Sequence, residues 1–160
     1  MKKDFKSIYG TDYSTPQWLF DKLNNEFHFE CDLACNKENV KCESGLFVEE
    51  CDSLAVDWHK LSSGWLWLNP PYSPLKAWIT KCQDEFLKGA KIVALIPPII
   101  STTYFQRVKP AQIRIITGRI NFYRNKKQQS GNTRDSCLVI YGNPIKTDVI
   151  WINREDFKNN

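Results

Sequence analysis

The sequence has no apolar run long enough to cross a bilayer, so no transmembrane helix is expected. Its start, Met1-Lys2-Lys3-Asp4-Phe5-Lys6, is basic, but no apolar stretch follows. Neither a signal peptide nor a membrane anchor is expected, and a cytoplasmic location is the default. No internal repeat and no low-complexity segment is visible, which argues against a solenoid or a disordered chain. Close cysteine pairs are also scarce. Cys31 and Cys35, separated by three residues, fit the two-to-four spacing of a zinc knuckle, but Cys42 and Cys51 are separated by eight and do not supply a second pair. With no sign of secretion, a disulfide framework is not expected either. The reading is of six buried, reduced thiols, at Cys31, Cys35, Cys42, Cys51, Cys82 and Cys137, and no metal.

What is present fits an ordinary globular protein. The 160 residues suit one domain, and 42% hydrophobic residues suffice for one core. The formal net charge of +4 permits a polyanionic partner without proving one. Six tryptophans supply large flat surfaces for cores or stacking sites.

Residues 1–14 read as an extended polar arm, and residues 15–160 as a single domain. Thr15-Pro16 predicts a helix start, with Thr15 as the cap and Pro16 in the first turn. Trp18, Leu19, Leu23 and Phe27 continue at helical spacing. Residues 28–34 predict a strand, with Asp32 towards its end and a polar loop at Asn36. Leu46–Val48 is a short strand. Trp65-Leu66-Trp67-Leu68 predicts a buried strand that stops at Asn69-Pro70-Pro71, since the prolines end it. A helix over 74–87 follows, with Leu75, Trp78, Ile79, Cys82 and Phe86 on one face. Ile92–Ile96 predicts another buried strand, cut by Pro97-Pro98. A short helix over 102–109, a strand near 113–117, a basic loop over 123–136, a strand over 136–141 and one over 148–152 complete the chain. Strands alternating with helices predict a mainly parallel α/β sheet, with an antiparallel pair at one edge. In such sheets ligands bind beyond the carboxyl ends of the strands. Asp32–Asn36, Asp52, Asn69–Tyr72 and Pro97-Pro98 would then share one rim.

Asn69-Pro70-Pro71-Tyr72 at a strand end points to a particular chemistry. An amine conjugated with a heteroaromatic ring is a weak nucleophile. Acceptors placed on its hydrogens draw it towards a tetrahedral geometry and release its lone pair. The Asn69 side-chain oxygen and the Pro70 carbonyl are candidate acceptors, because the prolines stiffen the backbone and add no competing donor. Tyr72 offers a flat face to a base, which must leave a duplex to reach such a pocket. A plain strand-ending turn is the competing reading.

With these residues in place, the chain resembles the small phage-type DNA N6-adenine methyltransferases, Dam-like enzymes carried by phages and prophages. The matches run in order from about Tyr13 to Tyr141. They include Thr15-Pro16 with Leu19-Phe20, Asp32-Leu33-Ala34-Cys35, Asn39 with Cys42, Asp52-Ser53-Leu54 with Trp58, and Trp67 through Tyr72. Trp78, Leu95-Ile96-Pro97 and Gly118–Phe122 follow. The resemblance implies a Rossmann-like methyltransferase fold and S-adenosylmethionine as cofactor. It implies that Asp32, Ala34 and Cys35 lie near the methionine part, Thr15 and Pro16 beside the cofactor, and Asp52 near the adenosine. Glu49 and Glu50 are candidates for the ribose hydroxyls. Asp32 and Asp52 also read as turn-capping aspartates. The glycine-rich cofactor loop of larger methyltransferases is absent. Only 36 residues separate Asp32 from Asn69, and 88 follow Tyr72, which leaves no room for a separate recognition domain.

The basic loop carries Arg124, Lys126, Lys127 and Arg134 and no acid between positions 123 and 134. Such a loop suits DNA, with Arg and Lys on phosphates and Asn and Gln on base edges. Arg119 and Phe122 are candidates to place the flipped base, and Lys2, Lys3 and Lys6 to add phosphate contacts. Other readings stay open: methylation of RNA or of a protein glutamine amide, an inactive nucleic-acid-binding module, and a zinc-stabilised binding domain.

Overall fold

A computed structural model describes residues 13–99, 101–103, 112–124, 126–131, 134–142 and 148–158. The strands are β1 (Tyr13–Ser14), β2 (Phe29–Cys35), β3 (Ser44–Phe47), β4 (Trp65–Leu68), β5 (Lys91–Ile96), β6 (Gln112–Thr117), β7 (Tyr123–Arg124), β8 (Lys127–Gln128), β9 (Ser136–Tyr141) and β10 (Asp148–Asn153). The helices are α1 (Gln17–Phe27) and α2 (Leu75–Leu87), with 3-10 turns at Ser53–Ala55, Trp58–Lys60 and Arg154–Phe157. No helix among the described residues is long and apolar enough to cross a membrane.

Seven strands form one sheet in the order β10-β6-β9-β5-β4-β2-β3. All pairings are parallel except those of β9 with β5 and β6. The expected parallel core is present, but the antiparallel strand is not at an edge. β9 lies inside the sheet, and β10 adds parallel to β6 beyond it. A central position demands apolar residues on both faces, and all six residues of β9 are buried. A second, antiparallel sheet joins β1, β7 and β8. Part of the expected basic loop is therefore a tight hairpin, with Lys126 at φ 61° in its turn.

The pleat divides the core. Leu66, Leu68, Ile92, Ala94, Ile96, Cys137 and Val139 share one cluster with Leu75, Trp78, Ile79 and Cys82 of α2. Trp67, Val93, Leu95, Leu138 and Ile140 share the other with Leu19, Phe20, Leu23 and Phe27 of α1. Three of the tryptophans are core residues. Trp67 packs edge-on to Phe20 with centroids 5.6 Å apart, and Trp58 stacks on Trp78 at 6.1 Å.

Local chemistry shifts several expected boundaries. Pro16, not Thr15, precedes α1, and its carbonyl accepts from the Leu19 and Phe20 amides. His28 ends the helix at φ 55° rather than opening the strand, and Asn24 Oδ1 accepts from the Phe29 amide. The strand then runs on through Cys35, so Asp32 lies within it. The expected helix over 102–109 falls mostly outside the described residues, as does most of the arm over 1–14.

One buried charge anchors α2. Glu85 has no exposed surface. Its Oε2 accepts from the His59 amide at 2.9 Å and lies 2.7 Å from His59 Nδ1, while Oε1 accepts from Lys81 at 2.8 Å and Lys88 at 3.2 Å. Burial alone would raise its pKa, but these bonds outweigh it and hold the carboxyl at about 2. Asp57, His59 and Glu85 have ligand atoms within 4.8 Å of one another. Lys60 already neutralises Asp57, and Lys81 and Lys88 already neutralise Glu85.

Candidate active site

The parallel strands bring their carboxyl ends to one rim. From β2 the chain passes to β3 on one side and then to β4 on the other, so a topological switch point lies between β2 and β4. Open α/β sheets bind ligands in the crevice outside such a point. Asn69 emerges there, directly after β4. Pro70 has no N–H to extend the β4 ladder, so pairing stops at Leu68 against Ala94. Pro70 and Pro71 are buried, and Asn69 and Tyr72 are half-buried. The Ser73–Pro74 peptide bond that follows is cis.

Asn69 Nδ2 donates to Thr15 Oγ1 at 3.2 Å. Thr15 is 2% exposed, and Pro16 beside it is buried. The chain immediately before α1 thus lies against the first residue of the tetrapeptide. Burial pushes the Tyr72 hydroxyl well above its ordinary value, so the ring is neutral and not a base. The Arg134 guanidinium lies over that ring, 6.0 Å from its centroid. Arg134 is far along the basic segment, so the fold joins two features that the sequence presents apart.

Asp32 is buried in β2, where the pairing with β3 shifts register between Asp32 and Cys35. A bulge of this kind re-aims side chains. Its Oδ1 accepts from the Ala34 amide at 3.3 Å and its Oδ2 from the Lys41 amide at 3.1 Å. Desolvation raises its pKa to about 6, against the lowering effect of those two amides and the Lys41 charge. The carboxylate therefore closes the 36–41 loop onto β2. Each oxygen retains capacity for a further donor. Ala34 and Cys35 are buried in the sheet, and the Cys35 thiol, raised by burial, points to the Leu46 carbonyl at 3.5 Å. The Cys42 thiol is pushed up to about 12, chiefly by burial. All six cysteines are free.

Asp52 caps the turn at Ser53–Ala55, its Oδ1 accepting from the Leu54 amide at 3.1 Å. Ser53, which sequence reasoning passed over as a functional position, ties that turn to β2 through a 2.6 Å bond to the Leu33 carbonyl. Glu49 and Glu50 are exposed, and Glu50 pairs with Lys37 at 3.0 Å. At the start of β9, beside the end of β5, Ser136 keeps a buried hydroxyl without a hydrogen-bond partner among the described residues.

The candidate DNA-contacting residues divide. Arg124, Lys126 and Lys127 are exposed on the β7–β8 hairpin. Arg124 stacks over the Tyr13 ring at 5.6 Å, and β1 pairs with β7. The hairpin is thereby fastened to the segment that ends in Thr15. Arg119 is exposed, 4.0 Å from Asp135, and its carbonyl accepts from Arg154. Phe122 is different. It is 8% exposed and packs in the core cluster shared with α1. Its alternation with Ile120 was the available signal, since both are buried. Lys2, Lys3 and Lys6 lie outside the described residues.

Comparison with known proteins adds a family. A sequence model described as DNA N-6-adenine-methyltransferase (Dam) matches residues 4–160. A DNA N-6-adenine-methyltransferase of Escherichia phage T1 is 29% identical over 148 residues, covering 80% of this chain. The chain spans 61% of that relative's length.

Proposed function

The chain belongs to the DNA N-6-adenine-methyltransferase (Dam) family, and from that premise we propose that it transfers a methyl group from S-adenosylmethionine to the exocyclic N6 amine of a flipped adenine in DNA. One observation carries the reading. Within a chain matched along residues 4–160, Asn69-Pro70-Pro71-Tyr72 opens directly from the end of a buried parallel strand, beside the switch point. The mainly parallel sheet, with a helix packed on each face, supports a Rossmann-like methyltransferase architecture for residues 15–160 as one domain.

S-adenosylmethionine, when bound, supplies an electrophilic methyl group on a sulfonium centre. The residues at the crevice fit such a ligand. A cationic, amine-bearing molecule there would favour the ionised form of Asp32, which burial otherwise disfavours. Asp32 with the Ala34–Cys35 backbone would hold the methionine part, and Asp52 would hold the adenosine part. The Thr15–Pro16 backbone would lie alongside. Asn69 Oδ1 and the Pro70 carbonyl would accept from the target amine and free its lone pair. Neutral Tyr72 would stack on the base, with Arg134 over the ring as the cation that brings phosphate to it. Arg124, Lys126 and Lys127 would neutralise the backbone of the duplex.

The test is incubation with labelled S-adenosylmethionine and separate DNA, RNA and protein substrates, followed by nucleoside analysis. Labelled N6-methyladenine from DNA is the expected product; label in protein alone overturns the reading. Asn69→Ala should abolish transfer and leave cofactor binding within about threefold, because the missing acceptor acts chiefly in the transition state.

A further inference from the structure

We infer that Thr15 is a positioning residue for Asn69, turning the amide so that its oxygen and not its nitrogen meets the reacting amine; the inference rests on the methyltransferase reading above. The two ends of an asparagine amide are alike in shape and opposite in chemistry. Oδ1 accepts and Nδ2 donates. An amine awaiting methylation offers hydrogens, so an oxygen facing it makes a hydrogen bond. A nitrogen facing it would set donor against donor. The choice between the two faces is made by whatever holds the other end of the amide.

Thr15 holds it. Its Oγ1 accepts from Asn69 Nδ2 at 3.2 Å, across 54 positions of sequence. With Thr15 only 2% exposed, bulk water competes poorly for that bond. The hydroxyl is also fixed from both chain directions. On one side Pro16, at φ −54° and ψ 137°, leads into α1 and caps its first turn with its carbonyl. On the other, Tyr13 and Ser14 pair with Arg124 and Tyr123 of the basic hairpin. The strand that places the hydroxyl is thus paired to the hairpin assigned to DNA. Pro16 rather than Thr15 is the residue that caps α1, and among the described residues the Thr15 side chain bonds to Asn69.

The experiment compares Thr15→Val, which keeps the shape and removes the hydroxyl, with Thr15→Ser, which keeps the hydroxyl. Both are checked for wild-type folding by circular dichroism; if the valine variant does not fold, Thr15→Ala replaces it. Two signals are read on the full chain: steady-state kinetics on DNA, and the Asn69 side-chain NH2 resonance in a 15N spectrum, assigned by its disappearance in Asn69→Ala. Removal of the bond should lower kcat about 10- to 100-fold, the scale for a misplaced catalytic group, with KM values within about threefold. The Asn69 NH2 signal should shift in the same variant. Thr15→Ser should restore both. A valine variant with wild-type kcat, or one with an unmoved Asn69 signal, overturns the inference. If the wild type methylates no DNA while the Asn69 signal still depends on the Thr15 hydroxyl, the functional reading falls and the amide arrangement stands.

Discussion

Replacing Glu85 with glutamine removes the charge that fastens α2 to the turn at Trp58–Lys60. In the native protein four donors converge on that carboxylate from His59, Lys81 and Lys88. Glutamine keeps one acceptor oxygen, but turns an NH2 group towards donors. The pKa gives the scale. Between the ordinary value of 4.5 and about 2, at ~1.36 kcal/mol per pH unit, the interactions favour the ionised folded state by about 3 kcal/mol. The sign follows from the lowered value. This contribution is fully present above pH 4.5 and is lost as pH falls towards 2. Urea denaturation at pH 7 should show Glu85→Gln less stable by about 3 kcal/mol, and thermal melting should fall by roughly 6–12 °C for a chain of this size. The variant should also lose the part of the acid sensitivity that the wild type shows between about pH 4.5 and 2. A destabilisation below about 1 kcal/mol at pH 7, or an unchanged acid profile, would refute the electrostatic anchor.

Cofactor affinity should depend on pH through Asp32, whose pKa is raised to about 6 by burial. Ionised Asp32 attracts a cationic ligand, so the Kd for S-adenosylmethionine should rise as pH falls below 6, approaching tenfold per pH unit; calorimetry showing a flat profile from pH 5 to 7.5 would remove Asp32 from the cofactor site. Phe122 belongs to the core, so Phe122→Ala should cost about 3 kcal/mol in chemical denaturation, while Phe122→Leu should keep DNA methylation; loss of activity in a stable leucine variant would return the ring to the base. Combined Arg124→Ala and Lys127→Ala should weaken DNA binding on all sequences alike and reduce the log–log salt slope by about 1 for each phosphate no longer neutralised. An unchanged slope would move DNA off the hairpin.

The strands and helices that carry the site were legible because their signals are local. An apolar run stopped by prolines marks β4 wherever it is read, since proline cannot donate to a ladder. The apolar spacing of Leu19, Leu23 and Phe27 marks α1 because one buried stripe is enough to specify a helix on a sheet. The place of β9 was less legible. Six buried residues require cover on both faces, but do not say which strands flank them. The basic segment was legible as a loop and not as a hairpin, because its four paired residues are polar and its first strand, β7, docks on β1 from over a hundred positions away.

By itself the sequence determined the mainly parallel α/β class, the family and the tetrapeptide, since each rests on residue order and on patterns a few residues long. Tertiary structure alone decided the partners. It gave the Thr15 hydroxyl to Asn69 instead of to a helix end, and set Arg134 over Tyr72. It turned the Asp32 carboxylate to the Lys41 amide and put Phe122 in the core. Threonine, aspartate and phenylalanine each have a local use and a distant one of similar energy. Which use prevails depends on groups that only the folded sheet brings within hydrogen-bonding or packing distance.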